Sequence, residues 1–233
     1  MKFIIRTYVK NEERLRLFEK SIISLKLAGI NNITVIDDQS PLEKEVQNVC
    51  MENAIEKYVR TVGKSDTING LYSSLKEINN DEFTILCVDD FICSSKILDT
   101  LKEIKDNDIP IIKDEYGTVG LFACYPSNIR IKYKNTNLWN IETKSLYALV
   151  CHHFSNELKD ILINEYEEAL EGRIEYPEVC DDIWVATICA RENLKCFNTI
   201  EDYAFHTGMN NRTFGDSVVS DNSCYQTPCY VGN

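Results

Sequence analysis

No apolar run in the chain approaches the roughly 20 residues that a membrane-spanning helix needs, so an integral membrane segment is not expected. Met1 to Arg14 is too polar for a secretory leader, which leaves a cytoplasmic setting as the expectation. Positive charge is in short supply: 25 Lys and Arg face 37 Asp and Glu, for a net charge of −12 and an isoelectric point near 4.8. That balance argues against phosphate-backbone binding as a main role, because such binding needs a net basic face. No general nucleic-acid signature is present, although Arg130, Lys132 and Lys134 form a local basic patch. Ten cysteines occur without a single Cys-x-x-Cys, so a zinc ribbon is not expected. The thiols, Cys224 and Cys229 included, read as reduced and partly buried. No low-complexity tract or linker divides the 233 residues, and 44% hydrophobic content is ample for one core.

What is present is a repeated strand and helix. Phe3 to Tyr8 reads as a buried strand, followed by Asn11 as N-cap with Glu12 and Glu13 in the first helical turn. Leu15, Phe18, Ile22 and Leu25 continue at helical spacing up to Gly29. Ile33 to Ile36 is a second strand, and Ser40, Pro41 and Glu43 read as cap, first-turn proline and capping-box acid. Ile55 to Val59 is a weaker third strand, and Asp66 caps a helix with Ile68, Leu71, Leu75 and Ile78 on its apolar face. Phe83 to Val88 is the most apolar strand, with Ser94 or Ser95 capping a helix through Ile97, Leu101 and Ile104. Strands alternating with helices of this length predict a mainly parallel sheet with helices on both faces.

The rhythm changes near Asp108. Val119 to Tyr125, Ile129 to Tyr133 and Leu146 to Cys151 predict a more antiparallel section joined to the same sheet. A helix follows from the Ser155 cap to Gly172, and another from Asp181 to Glu192. The expected organisation is one compact α/β domain of two abutting halves. Residues 1–108 form a βα half, residues 109–205 a second half, and residues 206–233 a polar tail that reads as a lid or as a plain terminus.

Open parallel sheets bind ligands beyond the carboxyl ends of their strands. Two acidic pairs fall there, Asp37-Asp38 after the second strand and Asp89-Asp90 after the fourth. Each pair could be a turn or a cap. Adjacent carboxylates ending so apolar a strand as Phe83 to Val88, however, suit a compensating cation such as Mg²⁺ or Mn²⁺ carrying a diphosphate. Gly63-Lys64-Ser65 suggests a phosphate loop, but the required first glycine is Tyr58, and that reading fails.

The segments IIRTYVKNEERLRLFEKSIISL, ITVIDDQSP and FTILCVDDFICSSKIL, in that order, resemble the nucleotide-sugar half of GT-A glycosyltransferases of the family 2 type. CDDIWVATICARENLKCF is similar to their acid-acid-aromatic helix, and EDYAFHTGMNNR to the segment where some members place a metal-binding histidine. The resemblance implies a GT-A, Rossmann-like fold and transfer of a sugar from a nucleotide sugar, UDP-linked by preference, to an acceptor hydroxyl with inversion. It implies that Asp38 binds the base with Thr7 and Tyr8 beside it, and that Asp89 contacts the ribose or the sugar. Asp90 and His206 become the Mn²⁺ or Mg²⁺ ligands, although the first, often acidic, position of that motif is Val88 here. Asp182, with Asp181, becomes the general base; the residues alone favour an N-cap and its neighbour. Lys64 and Asn69 lie where they could touch the nucleotide or simply form a loop, and Arg212 could close over the diphosphate.

The acceptor stays open among glycan, lipid-linked sugar, protein and modified base. Two further readings remain. A noncatalytic nucleotide- or partner-binding relative is favoured by Val88, and a sugar-phosphate nucleotidyltransferase is disfavoured because no glycine precedes Gly29 after the first strand.

Overall fold

The computed structural model describes residues 1–121, 130–142, 149–201 and 203–206. The expected alternation is present through residue 88. It runs β1 (Lys2–Thr7), α1 (Glu12–Leu27), β2 (Ile33–Asp37), α2 (Glu43–Glu52), β3 (Lys57–Arg60), α3 (Thr67–Lys76) and β4 (Thr84–Val88). Beyond it come β5 (Phe91–Cys93), α4 (Ile97–Glu103), a π-helical turn (Ile104–Asp108), α5 (Ile109–Ile112), β6 (Tyr116–Gly120), β7 (Arg130–Lys132) and β8 (Leu138–Ile141). The described chain finishes with β9 (Cys151–Phe154), α6 (Asn156–Leu170), α7 (Asp181–Arg191), β10 (Lys195–Thr199) and β11 (Ala204–His206).

Nine strands form one sheet in the order β3-β2-β1-β4-β9-β6-β10-β8-β7. β1 pairs in parallel with β2 and β4, β2 with β3, and β6 with β10. β9 lies antiparallel between β4 and β6, and β8 and β7 continue antiparallel at the far edge. β5 and β11 form a separate two-stranded ribbon.

Strand alternation sends Phe3 and Ile5 to one face with Phe18, Ile22 and Val46, while Ile4 and Ile36 face Leu71, Leu158 and Val185 on the other. Helices therefore cover both faces, as expected, and the sheet runs without a break from the first half into the second.

Local capping decides where several helices begin. The Asn11, Asp66 and Ser155 side chains each accept a backbone N–H three residues on, as the sequence predicts. The Ser40-Pro41-Glu43 capping box does not form. α2 starts after Leu42 with no side-chain cap, because Ser40 Oγ accepts the Val9 N–H at 2.7 Å and so joins the β1 exit to the β2 exit. α4 likewise has no side-chain cap, since Ser94 Oγ meets the Lys96 N–H within a turn. Among the described cysteines, Cys50, Cys87, Cys93, Cys151, Cys189 and Cys196 are buried free thiols and Cys180 is exposed. No described helix is long and apolar enough to cross a membrane.

Candidate functional site

The parallel strands β1, β2 and β4 end side by side, so Thr7, Asp37-Asp38 and Asp89-Asp90 share one end of the sheet. The two acids after β2 have different surroundings. Asp37 is fully buried and accepts from the Tyr58 hydroxyl at 2.5 Å, the Arg60 guanidinium at 2.7 Å and the Ser40 N–H at 2.9 Å. Asp38 turns the other way. Its Oδ1 accepts from Thr61 Oγ1 at 2.8 Å, and Ser65 Oγ lies 3.5 Å from Oδ2. Burial pushes the Asp38 carboxyl up to about 6, the Thr61 hydrogen bond opposes the rise, and the charge of Asp66 adds to it. Gly70 lies beside Asp38: a Cβ there would be 3.8 Å from its carboxylate, an ordinary van der Waals contact.

The loop before α3 frames this carboxylate. Asn69 Nδ2 donates to the carbonyls of Val62 and Lys64 at 3.0 and 2.7 Å, and its Oδ1 accepts from Tyr166 Oη at 2.9 Å. Asn69 therefore shapes the loop with its whole amide. Lys64 is more exposed, 3.2 Å from the Asp66 carboxylate and 4.4 Å from the centre of the Tyr176 ring. The Tyr176 hydroxyl donates to Asp66, tying the segment before α7 to the start of α3.

The turn after β4 is held from below by α1. Asp89 is 1% exposed; its Oδ2 accepts from Thr7 Oγ1 at 2.6 Å and from the Tyr8 N–H at 3.2 Å, and its Oδ1 accepts from Arg14 Nη2. Arg14 Nη1 donates to Asp90 Oδ2 at 2.5 Å. Ser21 Oγ adds contacts to the carbonyls of Asp89 and Phe91 at 2.9 and 2.7 Å. Thr7 and Tyr8, expected beside a base, thus meet Asp89.

α7 brings the third acidic pair to the same end. Its N-cap is Cys180, which makes no side-chain cap, so Asp181 and Asp182 are the first helical residues rather than caps. The helix N-terminus favours their negative charge. Asp181 Oδ2 lies 2.6 Å from Arg6 Nη1, whereas Asp182 Oδ1 accepts the Ile183 N–H at 2.8 Å. The Trp184 ring is buried behind them.

The divalent cation expected at Asp90 meets a different arrangement. No group of three His, Cys, Asp or Glu side chains among the described residues could hold a metal ion, and the carboxylates of Asp89 and Asp90 already share Arg14. These residues, as they stand, do not fit a divalent ion, which needs about six oxygen ligands. The His206 backbone pairs with Phe91, next to Asp90, but the ligand role rests on a side chain outside those described. Arg212 and the tail expected as a lid also lie outside the described residues.

Sequence reasoning missed Arg6, Arg14, Thr61 and Tyr176. A signal existed for two of them. Arg14 falls on the buried stripe of Phe18, Ser21, Ile22 and Leu25 in α1, and Arg6 follows the apolar run Phe3-Ile4-Ile5 within β1. A cation on an apolar face calls for a buried anionic partner.

No protein-family model matches the chain, and no curated protein sequence does. Solved structures do match. A mannosyltransferase from Pyrobaculum calidifontis in complex with GDP-Man and Mn²⁺ aligns at a TM-score of 0.51 and 16% identity, over 84% of this chain and 53% of that one. TarS residues 1–349 from S. aureus align at 0.51 and 13% identity, over 89% of this chain and 61% of that one. A protein described as a glucose-1-phosphate thymidylyltransferase from Bacillus anthracis aligns at 0.55 and 16% identity, over 89% and 90%.

The fold is GT-A. The chain spans only about half to three-fifths of the mannosyltransferase and TarS chains it matches. In GT-A terms, the three acidic pairs sit at the end of the sheet where doubly wound proteins take nucleotides.

Proposed function

We propose that the chain is a glycosyltransferase that moves a sugar from a nucleotide-sugar donor, UDP-linked by preference, to an acceptor hydroxyl with inversion at the anomeric carbon. The observation that carries this reading is the convergence of Asp38, the Asp89-Asp90 turn and the Asp181-Asp182 helix start on one end of the sheet. In this reading Asp38 accepts the imide N–H of a uracil ring; the Thr61 and Ser65 hydroxyls beside its carboxylate support the assignment. Thr7 and the Tyr8 backbone set the Asp89 turn beside the donor path. Arg6 draws Asp181 to the sheet and so fixes the start of α7, and in this reading Asp182, the next residue, acts as the general base.

In the proposed step an acceptor oxygen attacks the anomeric carbon as the bond from that carbon to the diphosphate oxygen breaks. The bonding electrons leave on the nucleoside diphosphate, and the acceptor proton passes to Asp182 and then to solvent. The GDP-Man and Mn²⁺ of that complex belong to the Pyrobaculum protein; here each part of the step is assigned to the chain's own residues. Residues 109–205 supply the acceptor side in this reading.

The test is incubation with a panel of nucleotide sugars, followed by nucleoside diphosphate release. Release of one nucleotide that Asp182→Asn abolishes supports the reading. If no nucleotide sugar binds at millimolar concentration, the reading is wrong.

A nucleotidyltransferase is the second reading, favoured by the likeness to the Bacillus protein over nine-tenths of both chains. The segment after β1, Tyr8 to Asn11, has no glycine to wrap a triphosphate. Pyrophosphate formed from a nucleoside triphosphate and a sugar phosphate would favour it.

A further inference from the structure

The buried turn after β4 presents two adjacent carboxylates, and the only described cation that bridges them is Arg14. The guanidinium is planar and forked. Nη2 takes the Asp89 carboxylate and Nη1 the Asp90 carboxylate, so one side chain engages both, as a single metal ion would. All three residues are nearly sealed, with Arg14 8%, Asp89 1% and Asp90 3% exposed. The remaining Asp89 oxygen is engaged by Thr7 and Tyr8, and position 88 contributes a valine in place of a third carboxylate.

The placement is built into α1. Asn11 caps the helix by accepting the Arg14 N–H at 2.9 Å, and Ser21, two turns on, grips the backbone of the same turn. Cap, cation and hydroxyl lie on one helix that splints the Asp89-Asp90 turn. Burial alone would lower the Arg14 pKa, but the two flanking carboxylates outweigh it and raise it further, so the guanidinium carries its charge at every pH at which the protein folds. A divalent ion entering here would meet that fixed positive charge and find both Asp89 carboxylate oxygens and Asp90 Oδ2 already engaged.

We propose that the Arg14 guanidinium takes the place of a divalent cation at the Asp89-Asp90 turn, so that the turn is assembled, and the nucleotide bound, without a metal ion. Arg14 is thus a positioning residue, acting through the two aspartates. The assembly of the turn stands on its own geometry, while the nucleotide half of the proposal rests on the nucleotide-sugar reading above.

The experiment uses the full chain and two probes, Mn²⁺ alone and UDP or GDP with either Mn²⁺ or EDTA. Electron paramagnetic resonance of free Mn²⁺ should show no stoichiometric uptake by the wild-type protein. Arg14→Met, which keeps an unbranched apolar stem and removes the guanidinium and its charge, should take up one equivalent, and its melting temperature should rise with added Mn²⁺ while that of the wild type does not. Nucleotide affinity measured by calorimetry should agree within about twofold between Mn²⁺ and EDTA.

Uptake of one equivalent by the wild type that Asp90→Asn abolishes would overturn the proposal. So would a tenfold or larger gain in nucleotide affinity with Mn²⁺, or an Arg14→Met protein that folds and takes up none. If Arg14→Met does not fold, the two wild-type measurements still decide. If neither nucleotide binds under any condition, the nucleotide-site reading fails, and the Mn²⁺ titration still judges Arg14 separately.

Discussion

Arg6 Nη1 lies 2.6 Å from Asp181 Oδ2, joining the carboxyl end of the first strand to the first residue of α7, far along the chain. The pair is only slightly exposed, at 11% and 15% of the two side chains, and Arg6 also reaches the Thr67 carbonyl at 3.4 Å. Two neighbouring acids therefore separate in role. Asp181→Asn should lower stability by about 2 kcal/mol, since it leaves a mostly buried guanidinium without its counter-charge. If Asp182 is the general base of the proposed step, Asp182→Asn should cut sugar transfer by about 10²- to 10⁴-fold, the usual loss for such a group. Urea denaturation of Asp181→Asn and nucleotide release by Asp182→Asn check this; an unchanged urea midpoint in the first or undiminished release in the second would contradict it.

Asp38 sets two opposite pH trends. Its carboxyl titrates near 6 in the folded protein, because burial outweighs the Thr61 hydrogen bond, against 3.8 ordinarily. The folded state thus binds more protons between those values, so stability should fall by about 2 kcal/mol as pH rises from 4 to 6 and then level off. If Asp38 binds the base as proposed, nucleotide affinity should move the other way, because only an ionised carboxylate can accept from the base N–H. Affinity should be about tenfold weaker at pH 5 than at pH 7, one decade per unit below the pKa. Asp38→Asn should flatten both trends in denaturant midpoints and in calorimetric binding.

Gly117 in β6 is a packing site. A Cβ there would lie 2.7 Å from Cys189 Sγ, 3.2 Å from Leu158 Cδ2 and 3.3 Å from Leu194 Cβ, which brings α6 and α7 close against the strand. Gly117→Ala should cost about 1–3 kcal/mol by overpacking. Pairing it with Cys189→Ala, which removes the nearest atom, should recover part of that loss. Thermal unfolding of the two single variants and the double variant gives the comparison.

Asn69 is 3% exposed, and its amide makes three hydrogen bonds across the loop that frames Asp38. Asn69→Ala should cost about 2–3 kcal/mol through two stranded carbonyls and a phenol without its acceptor. Asn69→Asp should cost more, because a carboxylate cannot donate to the Val62 and Lys64 carbonyls and adds charge beside Asp38 and Asp66. Chemical denaturation ranks the two.

The period of the apolar residues and three side-chain caps were enough to place the helices and parallel strands of the first half, because those signals are local. Ser40 was misread for a physical reason: the same hydroxyl can cap a helix or bond a distant N–H, and only the fold brings Val9 to it. The π-helical turn after α4 and strand β10 had no distinct local signal. At the site, the acidic pairs were visible as charges at strand ends. Their partners were not, since Arg14 and Arg6 lie 75 and 175 residues from Asp89 and Asp181 in sequence and meet them only through the sheet. An acid whose cation lies next to it in space but not in sequence reads as an empty ligand set.

The antiparallel position of β9 bears on how the chain must be made. β1 to β4 can pair as soon as residue 88 has emerged, yet one edge of β4, with Ile85, Leu86 and Cys87 buried in the finished sheet, has no partner until Cys151–Phe154 arrives. A nascent or truncated chain ending before that point presents an apolar strand edge, the kind that recruits strands from other chains. Synthesis thus passes through a stretch in which the most apolar strand is open on one side, and β9 closes it by bridging to β6. The window for misassembly ends at residue 154, well before the last acidic pair is made.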